Sequence, residues 1–146
     1  MPLLGNQPWQ VRAARCIPIL LELAINRGHI TYGQLVKRLG MNNPRHAVKI
    51  LSLASEVIDE YYHHEAPDIC VLVVSASTRI PGDGFMASAP ASSRAITHNA
   101  LSKAAYFALP LAEKRVIIEE LKEEVFAFTR WPELLRLARD YVKYYI

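Results

Sequence analysis

The chain has 146 residues, 51% of them hydrophobic and 21% charged, with a net charge of +3. That length suits a single domain with a real core, and the composition is that of an ordinary folded protein, which excludes a disordered chain. No apolar run approaches the roughly 18 residues of a membrane span.

The opening MPLLGNQPWQ lacks the basic start and apolar core of a signal peptide, so a cytoplasmic location is expected. Cys16 and Cys70 supply neither a disulfide framework nor a metal-type spacing, and reduced thiols fit that compartment. The charge is unevenly spread. Through position 50 the basic residues Arg12, Arg15, Arg27, Lys37, Arg38, Arg45 and Lys49 face Glu22 alone, a local charge of +6, while the remainder carries −3. A basic N-terminal third points to a polyanionic partner.

Residues 1–8 read as a loose lead-in. From Trp9 to Arg27, Val11, Ala14, Ile17, Leu20, Leu21, Ala24 and Ile25 recur at helical spacing. Pro18 lies inside this run, so the helix is expected to start there or to kink. Asn26-Arg27-Gly28 reads as the exit, and His29-Ile30 as a short extended link of the kind that forms the first small strand of a winged helix. Thr31 is a good N-cap for a helix of about nine residues that ends at Gly40, a residue suited to the left-handed position past a helix end. Asn43 then caps a second helix with Pro44 at its first position and an end near Tyr62. Its apolar face holds Ala47, Ile50, Leu51, Ala54, Val57, Ile58 and Tyr61; Arg45, His46, Lys49 and Ser52 fall on the other. Two helices about a short turn, the second opening on basic residues, form a helix-turn-helix pattern over 31–62.

His63-His64-Glu65-Ala66-Pro67-Asp68 reads as a solvated loop, because adjacent histidines point apart and no third metal ligand has suitable spacing. Ile69 to Ser75 is β-branched and continuously apolar, the pattern of a strand buried on both faces. Ala76 to Arg79 reads as a turn, and Ile80 to Phe85, with two glycines around Asp83, as the wing or its exit. Met86 to Ile96 is a mobile loop rich in Ala, Ser and Pro. Thr97 caps a helix to Ala108, and Pro110 opens another through about Glu123. Val125 to Phe128 is expected to leave that helix and pair with the Ile69–Ser75 strand. Trp131-Pro132 starts a last amphipathic helix, with Leu134, Leu135, Leu137, Ala138, Tyr141, Val142 and Tyr145 as its apolar stripe.

The expected fold is therefore α+β and mostly helical, in a single domain over 1–146. A winged helix-turn-helix with a small β-sheet occupies 9–85, and C-terminal helices extend it over 97–146. From Gly28 through Pro81 the chain resembles the winged-helix domain of the O6-alkylguanine-DNA alkyltransferases and the alkyltransferase-like proteins. Thr31-Tyr32-Gly33 matches their TYG-type helix opening, and Val73-Val74-Ser75 the end of their Pro-Cys-His-Arg-Val-Val segment, which places Cys70 at the methyl-accepting cysteine. Ile69, Val71 and Leu72 stand where that segment has proline, histidine and arginine. The resemblance implies the fold and a DNA-binding mode without alkyl transfer, since a thiol in apolar surroundings holds little thiolate. Cys70 is expected to be a small buried hydrophobe. The whole chain also resembles small uncharacterised bacterial proteins, through Ile30–Gly33, Leu72–Ser75, Pro81–Phe85 and Val125–Phe128 with Trp131.

No nucleophile motif, metal-binding helix, phosphate loop or carboxylate pair is present, so no catalytic set, cofactor, metal or small-molecule substrate is expected. The first functional expectation is a non-enzymatic protein that binds duplex DNA. Arg45, His46 and Lys49 would reach base edges or phosphates, and Lys37 and Arg38 the flanking backbone. Tyr32 belongs to the same set, and Arg79 on the wing adds a phosphate or minor-groove contact. Glu56, Asp59 and Glu60 make the far half of the second helix acidic, so only its first turns would face DNA. The alternative is an immunity or antitoxin-type protein that neutralises a bacterial toxin. It would use acidic surface from Glu56 to Asp68, with Tyr61 and Tyr62, or from Glu113 to Glu124.

Overall fold

A computed structural model describes residues 5–82, 85 and 103–146. They are mostly helical with one small parallel sheet, an α+β arrangement. Among them, no helix is long and apolar enough to cross a membrane.

Helix α1 (Pro8–Ile25) is the element the others pack on. Its face of Ala13, Cys16, Ile17, Leu20, Leu21 and Ala24 is buried, and each large apolar side chain so covered contributes roughly 1.5–3 kcal/mol. The helix begins at Pro8, ends two residues before Arg27, and passes through Pro18 as one continuous element. The expected start at Pro18 is therefore corrected. A mid-helix proline costs about 3 kcal/mol, and the burial of Ile17, Leu20 and Leu21 around it outweighs that.

Strand β1 (Ile30–Thr31) leads into helix α2 (Tyr32–Arg38), which stops at Leu39 with Gly40 left-handed at φ 78°. A single 3-10 turn over Pro44–His46 precedes helix α3 (Ala47–Tyr61). Asn43 and Pro44 thus open a tighter turn than the expected α-helix. His63 and His64 then adopt left-handed backbone, at φ 53° and 64°, and end the helix run, with His64 paired to Asp59.

The expected strand over Ile69–Ser75 is also corrected. Ile69–Leu72 forms a 3-10 turn, and only Val73–Val74 is strand, β2. Asp68 causes this: its Oδ1 accepts the Cys70 N–H at 3.0 Å, which starts a helical turn. The segment is buried because α1 and the helix over Leu111–Ala127 pack on it, not because it lies inside a sheet. β1 and β2 pair in parallel, Ile30 opposite Val73 and Thr31 opposite Val74.

Beyond β2, Ser75 and Ile80 close a tight turn: the Ser75 N–H donates to the Ile80 carbonyl at 2.9 Å, and the Arg79 N–H to the Ser75 carbonyl at 2.9 Å. No antiparallel wing hairpin is present among the described residues. Thr97, the expected cap, and the loop at 86–96 lie outside them. The C-terminal part comprises α4 (Lys103–Ala108), α5 (Leu111–Ala127) and α6 (Trp131–Tyr145). Val125 to Ala127 belongs to α5, so the expected pairing of Val125–Phe128 with a strand does not form. On α6, Leu134, Leu135, Ala138 and Tyr141 are buried, whereas Tyr145 is exposed despite its place in the stripe.

Candidate nucleic-acid interface

The site begins with a cap. Thr31 Oγ1 accepts the Gln34 N–H at 3.1 Å, and Gln34 Oε1 accepts the Thr31 N–H at 3.0 Å. This reciprocal box satisfies two orphan donors and sets the start of α2 beside the sheet. Lys37 and Arg38 fall in the last turn, where the helix dipole favours cations, and both are exposed. Asn43 Oδ1 accepts the Arg45 N–H at 3.0 Å, which turns the chain so that Arg45 and His46 stand exposed on the 3-10 turn. Lys49 follows one turn later, its ammonium 4.1 Å from the centre of the Trp9 ring. Arg79 is exposed in the Ser75–Ile80 turn with left-handed backbone at φ 63°. Among the described residues, Lys37, Arg38, Arg45, Lys49 and Arg79 form no ion pair with an acidic side chain.

Tyr32 behaves differently from the rest of the expected set. It is half-buried, and its hydroxyl accepts the Gly82 N–H at 2.9 Å, tying α2 to the chain beyond the turn. Burial pushes its phenol above the ordinary value, so at neutral pH it is a neutral hydrogen-bonding group. Sequence reasoning also missed Arg115 of α5. Its Nε and Nη2 donate to the Thr78 carbonyl at 3.1 and 3.0 Å and brace the turn that carries Arg79.

Beside the 3-10 turn lies a cavity of about 640 Å³ with a mainly apolar wall. Tyr32, Val48, Ser55, Asp68, Cys70 and Phe85 line it, and Arg45 stands among its lining residues. Cys70 is half-buried in this wall, not sealed in the core as expected, and its thiol donates to the Leu51 carbonyl at 3.8 Å. Burial, and then the neighbouring Asp68, push that thiol well above its ordinary value. Asp68 is itself raised by burial. An apolar wall with a few convergent polar groups is the usual make-up of a small-molecule pocket. Asp68 was expected in a solvated loop; its place beside Ser55 and Tyr32 in the cavity lining was not legible.

The acidic surface proposed for a protein partner is partly spoken for. Tyr62 is fully buried, and Glu123 is bound to Arg27 at 2.6 Å. The chain matches no protein-family model, no curated protein and no solved structure.

Proposed function

We propose that this chain is a non-enzymatic, winged-helix type of protein that binds duplex DNA through the helix-turn-helix at 31–62. One observation carries the reading. Lys37, Arg38, Arg45 and Lys49 are exposed together on a single two-helix unit, without acidic partners among the described residues, in a stretch from 28 to 55 that contains no Asp or Glu. Unpaired cations are the ones that release counterions when they meet phosphate. Arg45, His46 and Lys49 contact the groove, Lys37 and Arg38 the adjoining backbone, and the braced turn with Arg79 takes the place of a wing. The cavity beside Arg45 has room for a nucleobase swung out of the stack. Tyr32 and Phe85 are the aromatic members of its wall. The raised Cys70 thiol supports binding without chemistry, because a thiol held protonated is a poor nucleophile.

The test is fluorescence anisotropy on mixed-sequence duplex at about 50 and about 200 mM salt, with wild type beside the double variant Arg45→Glu/Lys49→Glu. Five phosphate contacts give a slope near −4.5 and roughly a 500-fold loss of affinity between those two salts. The double variant is expected to lose binding at both, and a duplex with one unpaired base to bind more tightly than its matched counterpart. Absence of binding by folded wild type at either salt overturns the reading. A protein partner for the acidic surface, such as a toxin, then becomes the leading alternative.

A further inference from the structure

We infer that Trp9 is a positioning residue for Lys49, and that the nucleic-acid surface extends from α3 onto the first turns of α1. The inference rests on the DNA-binding reading above. A lysine ammonium sits on a flexible four-carbon stem and loses rotamer freedom when it engages a phosphate. A neighbour that holds the stem beforehand lowers that cost. A carboxylate would hold it but would also cancel the charge the phosphate needs. An aromatic ring attracts the ammonium through its quadrupole and leaves the full positive charge available.

Trp9 and Lys49 have this arrangement. Trp9 is half-buried in the first turn of α1, which contains no acidic residue. Lys49 is exposed, 4.1 Å from the ring centre. Arg27 and Arg130 also lie over rings, those of Phe126 and Tyr62, but each is tied to a carboxylate as well; Lys114 and Lys143 lie further from their rings, 5.6 Å from Tyr106 and 5.2 Å from Tyr144, and outside the helix-turn-helix. The two arginine charges are balanced by exposed carboxylates. Arg12 stands three residues after Trp9, hence on the same side of α1. Helix α1 packs along α3, and Arg12 adds a further cation on the Trp9 side of α1.

The experiment is anisotropy on the same duplex over a salt series with Trp9→Ala, Trp9→Phe, Lys49→Ala and the Trp9→Ala/Lys49→Ala pair. Loss of the ring is expected to weaken binding by about two- to fivefold, the value of an exposed cation–π contact. Trp9→Phe is expected to restore most of the loss, and the paired variant to bind no more weakly than Lys49→Ala alone. Trp131 is 1% exposed, so DNA-induced quenching of indole emission reports on Trp9. If Trp9→Ala does not fold by circular dichroism, Trp9→Leu keeps the apolar bulk without the ring and takes its place. A ring-less variant that binds as wild type does, or one whose loss persists undiminished in the Lys49→Ala background, overturns the inference while leaving duplex binding intact. Wild type that binds no duplex overturns both together.

Discussion

Two regions of this molecule use the same residue types to opposite ends. Where α3, α5 and α6 meet, Tyr62, Phe128 and Trp131 pack edge to face or tilted, with ring centres 4.5 to 5.4 Å apart. Every polar handle there is engaged. Trp131 Nε1 donates to the Val125 carbonyl at 2.8 Å, and the Tyr62 hydroxyl to the Arg130 carbonyl at 2.7 Å. Three arginines outside the helix-turn-helix are paired too: Arg130 with Glu65 and Glu133, Arg27 with Glu123, Arg139 with Glu22. On the helix-turn-helix face the cations lack acidic partners among the described residues, and the aromatic beside Lys49 is only half-buried. Satisfied groups stabilise a fold; exposed unpaired ones contribute little until a partner arrives.

The largest break in this contrast comes from the aromatic junction. Trp131→Ala removes a fully buried ring and leaves a cavity between α5 and α6, with an expected loss of about 3–5 kcal/mol in urea unfolding. Tyr62→Phe keeps the ring and removes only the hydroxyl, for about 0.5–1.5 kcal/mol. It also carries a pH signature. Burial, ahead of any other cause, raises the Tyr62 phenol above its ordinary value of 10.0. Ionisation is thus disfavoured in the folded state, so this stability is fully present below about pH 10 and is lost as pH rises further. Unfolding measured at about pH 9 and about pH 11 should show a smaller alkaline loss for Tyr62→Phe than for wild type.

The smallest effect sharpens the comparison most. Arg139→Gln breaks the 2.6 Å pair with Glu22, both half to mostly exposed, and should change stability by no more than about 1 kcal/mol. Duplex affinity should stay at the wild-type value. The Arg45→Glu/Lys49→Glu pair should do the reverse, abolishing binding in anisotropy while the thermal midpoint stays put.

Legibility in the sequence followed the range of the forces involved. The Thr31 cap, the left-handed Gly40, the Asn43-Pro44 start and the last amphipathic helix are local matters, set by side chains within three or four residues. Their expected positions agree with the structure to within a residue or two, except that the turn at Pro44–His46 is 3-10 rather than α. Ile69–Ser75 misled for a definite reason. A short apolar β-branched run has the same pattern in the interior of a sheet and in a buried 3-10 turn, and periodicity cannot separate them. Val125–Phe128 misled likewise, since β propensity there is overridden by the burial of Val125 and its bond to Trp131.

The exposed face of the candidate site, Lys37, Arg38, Arg45, His46 and Lys49, was legible because helical spacing alone separates it from the apolar stripe. Tyr32 was legible by position but not by role, since its partner Gly82 lies fifty residues on. The cavity, the ring beneath Lys49 and the brace from Arg115 were not legible at all. By itself the sequence determined the caps, the helix faces, the charge asymmetry and the lack of any local catalytic motif, all set by neighbours along the chain. Only the tertiary structure decided which cations are neutralised and which stay available, and which polar side chains converge on one cavity. Those outcomes depend on residues brought together across many positions, by packing against α1 that has no sequence period of its own.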